Sequence, residues 1–429
     1  MKVAFYTLGC KVNQYETNAM AQKFMENNYK IVPFEEKTDI YVINTCTVTS
    51  ISDKKSRQIL RRAKQLNKNS IVVAIGCYAE VAKEELNSIE EIDLVLGNNE
   101  KSCIVEIIKE FIAERMQNCF VSDVNKQKEY LDFGITTYTE KTRAIVKVQD
   151  GCNNFCSYCM IPYARGRIRS RNPQSVIEEI KQIVKQGIQE VVITGIHVAS
   201  YGKDFKEEYT LINLLEDINR IEGLKRIRLG SLEPKIITEE FTKRLKNLDK
   251  FCEHFHLSLQ SGCDETLKRM NRKYTTEEFR KCVQILRKTF SNVALTTDII
   301  VGFPSETKEE FNNTYKFLEE IKFAKMHIFK YSVRKGTLAS KMQNQINPKL
   351  KEERSHKLLE LSDKNEKEFL KNMIGINEEV LFEEQEGEYF KGHTKNYMLV
   401  KAKGDNLENK IIKVNMYEIE NLQLIGTIC

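Results

Sequence analysis

Three short runs of apolar, mostly β-branched residues punctuate the first part of the chain: VAFYTL from Val3, IYVINT from Ile40 and IVVAIG from Ile71. Between and after them, apolar residues recur at helical spacing over about positions 13–28, 50–67 and 79–89, the pattern of amphipathic helices. Strands that alternate with helices predict a parallel sheet, and the residues just past parallel strand ends gather along one edge. Each of the three runs leads straight into a cysteine, Cys10, Cys46 and Cys77, whereas a fourth run, DLVLG from Asp93, ends in Asn98. The three thiols are therefore expected to converge. One buried cysteine is ordinary core packing; the same placement three times points to a shared iron–sulfur site.

The alternation restarts at about position 143. Strands are expected at about 144–148, 191–195, 226–231, 255–260, 294–301 and 326–331, with helices such as 175–186, 276–290 and 309–321 between them. Six β/α units are too few to close the usual eight-fold barrel, so an open, partial barrel is expected. Its strand ends carry GCNNF, TGIHVASYG, GSLEP, SLQSG and VGFP. Each alone is ordinary turn chemistry; together they occupy the edge where a barrel keeps its site, with glycines that let backbone approach a ligand. The polar, weakly periodic region 117–140 reads as a linker. After a helical pattern over 348–373 the texture changes to EVLFEE, YFKGHT, YMLVKA, KIIKVN and LQLIGT, short strands that predict a small all-β barrel. The expected architecture is α/β, with a parallel-sheet unit at 1–120, a partial (β/α)6 barrel at 138–370 and a small barrel at 372–429.

Charge changes this picture little. The chain has 67 basic and 61 acidic residues, a net +6, which permits a nucleic-acid partner without arguing for one. From Ile376 onward there are ten acidic and six basic residues, so any RNA affinity of the last barrel needs a local face. Lys54, Arg57, Arg61, Lys64 and Lys68 recur along one helical face, either a solvated surface or a phosphate contact. Arg165, Arg167, Arg169 and Arg171 alternate along what reads as an extended segment, suited to phosphates or a carboxylate if they share a face. In the small barrel Tyr389, Phe390, Lys391, Tyr397 and Lys401 are the candidates for RNA. Lys11 and Glu16 interrupt any signal peptide and no segment approaches the roughly 20 apolar residues of a membrane span. A cytoplasmic protein is expected, in which twelve cysteines point to metal or redox chemistry more than to disulfides.

The densest chemistry lies in QDGCNNFCSYCMIPYARG, where Cys152, Cys156 and Cys159 stand four and then three residues apart. Three thiolates can hold one face of a cuboidal cluster that normally takes four, which leaves one iron open to a ligand. A structural zinc would want a fourth ligand nearby. Cys103, Cys119, Cys252, Cys263, Cys282 and Cys429 show no ligand spacing, and His197 is expected to hydrogen-bond or pack.

CxxxCxxC with Tyr158 before its last cysteine resembles the radical S-adenosylmethionine (SAM) superfamily. The resemblance implies a [4Fe-4S] cluster whose open iron is chelated by SAM, and electron transfer that yields a 5′-deoxyadenosyl radical. It further implies SAM contacts from Tyr158, Gly195, Val301, Gly302, Phe303 and Pro304, with Ser231, Glu233 and Gln260 for the cofactor's polar groups. TLGCKVNQYET, NTCTV and GCYAE resemble the N-terminal domain of the methylthiotransferases, which carries a second [4Fe-4S] cluster on cysteines placed as Cys10, Cys46 and Cys77, and the C-terminal strands resemble the RNA-binding TRAM domain. The family inserts sulfur and a methyl group at an unactivated carbon–hydrogen bond, which offers a general base no acidic proton. Within it the motifs look most like the branch that converts N6-threonylcarbamoyladenosine at position 37 of tRNA to its 2-methylthio form. The isopentenyladenosine branch usually reads GCQMN and the ribosomal-protein aspartate branch GCPKN, and Lys11 and Val12 fit neither. The resemblance implies the tRNA anticodon loop as partner, an electron donor such as flavodoxin or ferredoxin, a monomer and no membrane. A non-catalytic iron–sulfur RNA-binding sensor is the alternative of another class; it predicts clusters without SAM cleavage.

Overall fold

In the computed structural model, described over residues 1–114, 119–134 and 142–429, the N-terminal sheet is parallel throughout, in the order Lys30–Val32, Lys2–Thr7, Ile40–Thr45, Ile71–Gly76, Leu94–Leu96, Cys119–Phe120. Every residue of Ile40–Thr45 is buried, because helices cover both faces of a parallel sheet and its central strand must be apolar on both. Helices Lys11–Glu26 and Ser50–Leu66 lie where periodicity puts them. The expected helix over 79–89 is two short ones, Cys77–Val81 and Lys83–Asn87, broken at Ala82 by a non-helical φ of −134° and ψ of 39°. The strands Lys30–Val32 and Cys119–Phe120 are three and two residues long, too short to show a period.

Six parallel strands, Arg143–Asp150, Glu190–Gly195, Arg226–Leu229, His254–Gln260, Ala294–Val301 and Lys325–Lys330, make the central sheet, with the two-residue strand Arg169–Ser170 antiparallel on the outer side of the first. Arg226–Leu229 and the next strand meet only through the bridges Ile227↔Phe251 and Leu232↔Leu257, so the sheet curves there into an open barrel. Its outer face, with Val146, Ile193, Ile227, Leu257 and Ile299, packs under the helices in one large core. Strand alternation turns Arg143, Lys147, Glu190, Arg228, His256 and Asp298 the other way. Barrel interiors are usually filled with branched apolar side chains; this one is lined with charge and is a polar lumen.

The N-terminal unit reaches both the first and the last of these parallel strands. At the first, helix Lys11–Glu26 packs through Tyr15 and Ala19 on Ile145. At the last, Arg334 ion-pairs Asp53 at 2.6 Å and bonds Thr47, while Ser50 meets Ser332 at 2.9 Å. The region expected to be a linker takes part in this packing. Its positions 117–118 and 135–140 lie outside the described residues, but the Tyr130 hydroxyl donates to the Lys147 carbonyl at 2.9 Å and Asp132 pairs with Arg171 at 2.8 Å.

Beyond helix Pro348–Lys371, five strands from Asn377 to Ile428 close a barrel in which one pair is parallel and the rest antiparallel. The turn after Tyr389–Thr394 carries Tyr397 at a φ of +70° and inserts it into the strand-start end of the lumen. Its ring stacks on His393 at 4.5 Å and lies under the guanidiniums of Arg228 and Arg143 at 4.5 and 5.3 Å. Arg226 donates to the carbonyls of His393 and Glu379 at 2.9 and 2.7 Å, and Arg228 to that of Lys395 at 3.0 Å. The C-terminal barrel thus stoppers the central one.

Candidate functional site

The three N-terminal cysteines meet as the parallel sheet requires. Cys10 caps helix Lys11–Glu26, Cys77 opens the helix after its strand, and Cys46 follows Ile40–Thr45. Gly9 lies so close to Cys46 that a Cβ there would stand 2.8 Å from the sulfur, and it takes a φ of +101° that only glycine holds without strain. Burial pushes the Cys46 thiol up to about 11, with Cys77 and Cys10 beside it adding to the rise. Thiolates this close need a cation to ionise together. The donors around Cys77 suit a thiolate: Arg165 Nε reaches its Sγ at 3.2 Å and Asn98 Nδ2 at 3.9 Å.

The central trio is built alike. The Asn154 amide approaches Cys152 Sγ at 3.5 Å, and Arg272 Nη1 approaches Cys156 Sγ at 3.5 Å. Burial, with Cys156 as neighbour, pushes Cys159 up to about 12. Both trios therefore fit a group that brings positive iron to three sulfurs. Asn271, which shows no signal in the sequence, fastens the loop by donating to the Phe155 carbonyl at 2.9 Å. Tyr158 packs edge-on against Phe303, with ring centroids 6.4 Å apart, and Phe303 against Tyr331 at 5.3 Å.

Of the other expected SAM contacts, Glu233 lies beside the cysteine loop, accepting from Asn154 at 3.3 Å and pairing with His197 Nε2 at 2.9 Å. Burial raises its pKa, but the His197 bond and the nearby Arg272 outweigh that and bring it down to about 2. Gly195 abuts Gln149, whose Oε1 accepts from the His197 amide at 2.7 Å. Gln260 ends its strand at a φ of +70°, Ser231 is exposed and Val301 and Pro304 are buried. Gly302 is covered by the Lys351 side chain. Deeper in the lumen Asp298 joins two imidazoles, His256 at 3.2 Å and His327 at 3.1 Å; these bonds satisfy the three groups without an ion.

The arginine run differs most from expectation. Arg165 ends a short helix, Ile161–Arg165, instead of lying on an extended segment. It is fully buried and holds Glu16, Asp150 and Asn13 besides Cys77. Glu16 also takes Lys101 at 2.5 Å and Lys147 at 2.6 Å. Arg169 and Arg171 are buried too, the first on the Arg165 carbonyl at 2.8 Å, the second on Glu179 and Asp132. None of these three can meet a phosphate; only Arg167 is exposed, stacked over Phe155 at 4.6 Å. On the basic helix Arg57 pairs with Glu85 at 3.0 Å, Arg61 with Glu91 at 3.8 Å and Lys64 with Asp93 at 2.7 Å, leaving Lys54 and, just past its end, Lys68 exposed and in no ion pair among the described residues. Lys391 and Lys401 both pair with Glu386, at 2.7 and 3.0 Å, and Phe390 lies in the barrel core. Tyr397 is committed to the lumen and Tyr389 lies under Lys403 at 5.2 Å. Arg165 also links the two α/β units here, since it stands six residues past Cys159 and touches Cys77.

Comparison with known proteins shows the family. Residues 146–318 match the radical SAM superfamily and residues 2–97 match the uncharacterized protein family UPF0004. The chain is 44% identical over 421 residues, covering 96% of it and 93% of its relative, to the threonylcarbamoyladenosine tRNA methylthiotransferase MtaB of Bacillus subtilis (strain 168). It is 41% identical, over 96% of itself and 100% of the relative, to the protein of the same name from Aquifex aeolicus (strain VF5). Among solved structures, the radical SAM methyltransferase TsrM from Kitasatospora setae, with cobalamin and a [4Fe-4S] cluster bound, shares the fold at a TM-score of 0.60 and 15% identity, over 79% of this chain and 74% of that one. Identity of this extent, over nearly the full length of both chains, leaves one conclusion: the chain belongs to the radical SAM methylthiotransferases, enzymes that work with S-adenosylmethionine and [4Fe-4S] chemistry.

Proposed function

We propose that this chain converts N6-threonylcarbamoyladenosine at position 37 of tRNA to its 2-methylthio derivative. The observation that carries the reading is the pair of cysteine trios, one from each α/β unit, with Arg165, six residues past Cys159, donating to Cys77 Sγ. In this reading residues 1–120 hold an auxiliary cluster on Cys10, Cys46 and Cys77, residues 138–370 hold the SAM-binding cluster on Cys152, Cys156 and Cys159, and residues 372–429 are an RNA-binding TRAM domain. Bound there, the clusters and SAM supply the one-electron chemistry and the sulfur that an unactivated C–H bond demands.

The chain's own residues orient and shield. Tyr158 and Phe303 wall the cofactor side, and Glu233, held ionised by His197 and Asn154, offers a fixed acceptor to a cationic group. Val48 and Ile51, 57% and 74% exposed, flank Ser50, and Val333, 48% exposed, follows its partner Ser332. This apolar lip suits the stacked bases of an RNA loop, with Lys54 and Arg167 as phosphate contacts. No helix among the described residues is long and apolar enough to cross a membrane. We read the enzyme as a cytoplasmic monomer reduced by a small donor such as flavodoxin or ferredoxin. Nucleoside mass spectrometry of tRNA from a deletion strain tests the assignment. The 2-methylthio form of threonylcarbamoyladenosine should vanish while that of isopentenyladenosine persists; the reverse result overturns it.

A further inference from the structure

Helix Lys11–Glu26 begins one residue after Cys10 and packs on the first barrel strand, so the residue at its start stands where the N-terminal unit meets the lumen. Lys11 is solvent-accessible, yet its charged neighbours are Arg143, Arg228 and Glu190, all on the lumen face. A side chain reached by water but hemmed in by inward-facing barrel residues projects into the lumen.

The charges at this depth do not balance. Glu190 accepts from Arg143 at 2.6 Å and from Arg228 at 3.0 Å and stands 3.8 Å from Arg226, while Glu383 is shared by Arg143 and His393. The other bonds of Arg226 and Arg228 end on carbonyls of the C-terminal barrel. Two carboxylates thus serve three guanidiniums, and Lys11 has no ion pair among the described residues. A cation turned toward a lumen that a substrate fills costs stability unless the substrate brings an anion.

We propose that Lys11 binds the carboxylate of the threonine moiety on the substrate adenine, and so makes the lumen select an acidic N6 substituent. This rests on the function proposed above and deepens it. The α-carbons of Lys11 and Cys10 are about 3.8 Å apart, so the side chain starts beside the auxiliary cysteines, where the ring carbon must react, and reaches from there into the lumen toward Arg143, Arg228 and Glu190. The carboxylate hangs from the N6 edge of the same ring, across from that carbon. An isopentenyl group in its place would bury the ammonium against hydrocarbon. A site built for a charged partner rejects the analogue that lacks it far more strongly than an apolar pocket rejects a hydroxyl.

The test uses the full-length chain reconstituted anaerobically and two anticodon stem-loops, one carrying threonylcarbamoyladenosine and one in which the threonine carboxylate is a primary amide. Binding is read by fluorescence anisotropy and turnover by mass spectrometry. The unmutated chain should favour the acid over the amide by ~10-fold or more in kcat/KM, the scale of a hydrogen bond to a charged group, with a matching difference in Kd. Lys11→Gln should bring the two substrates to within about twofold of each other, and Lys11→Arg should restore part of the preference. The proposal is overturned if the unmutated chain treats acid and amide alike, or if Lys11→Gln retains the full preference. Iron content is measured in each variant. Should Lys11→Gln load poorly, the comparison in the unmutated chain and in Lys11→Arg still decides. Failure of the underlying function has its own signature, which overturns both: neither threonylcarbamoyl RNA reacts, and an isopentenyladenosine stem-loop does.

Discussion

At the scale of single residues, the separate duties of the two cysteine trios are open to test. Cys156→Ala should abolish both 5′-deoxyadenosine release and methylthiolation, whereas Cys46→Ala should spare part of the SAM cleavage while losing product; chromatography of 5′-deoxyadenosine beside nucleoside analysis separates the two. Equal loss of cleavage in both variants would count against two sites. Arg165 gives a second prediction. It is fully buried, and its removal strands Glu16 and Asp150 with fewer partners. Losing one member of a buried ionic network typically costs about 3–5 kcal/mol, so Arg165→Met should lower the urea midpoint of the apo chain markedly. Exposed Arg167→Met should leave the midpoint nearly unchanged and weaken RNA binding instead. A shift no larger for Arg165→Met than for Arg167→Met would show that the network contributes little.

At the scale of elements, the strand ends decide where sulfur can sit. Gly76 links strand Ile71–Gly76 to Cys77 at a φ of +106°, and a Cβ there would stand 2.5 Å from Asn44 Oδ1 and 2.9 Å from the Thr45 carbonyl. Gly76→Ala therefore combines a left-handed conformation with a clash against backbone, at a cost of roughly 1–3 kcal/mol. Because the residue it displaces is Cys77, the iron bound per chain should fall as well, while cleavage of SAM survives. Retention of full iron would mean that the strand end can shift without moving the thiol. The same strand ends were legible in the sequence, since an apolar run that stops at a glycine or a cysteine marks its own boundary, as in IVVAIGC. The arginine segment was not: alternate spacing reads as an extended strand, but Pro162 lets a one-turn helix start there, and that turn swings Arg165 inward.

At the scale of the whole molecule, the C-terminal barrel and the lumen share one electrostatic seam. Burial raises the Glu190 pKa, but Arg228 and Arg143 overcome it and bring it down to about 2. A carboxylate held below its unfolded value of about 4.3 stabilises the fold fully above that value and loses the contribution as pH falls toward 2. The shift is worth about 3 kcal/mol at neutral pH. Glu190→Gln should therefore lower the thermal midpoint at pH 6, and the gap to the unmutated chain should narrow as pH falls from about 4.3 toward 2. A gap independent of pH would show that Glu190 acts through shape alone. The seam also explains why the C-terminal barrel, net acidic by composition, is docked: its Glu383 and the carbonyls of its Tyr397 turn are partners for arginines of the central strands.

Spacing and periodicity alone determined the alternating strands and helices, the convergence of Cys10, Cys46 and Cys77, and the CxxxCxxC loop, because these are properties of short stretches and of the parallel-sheet rule. Only the tertiary structure decided which charges face inward. Arg165 and Lys147 look in sequence like any surface cation, yet both are buried on Glu16, which lies 149 and 131 residues before them. Charge patterns in a sequence carry no record of partners more than a hundred residues away, and so the polar lumen could not be read until the fold had brought those partners together.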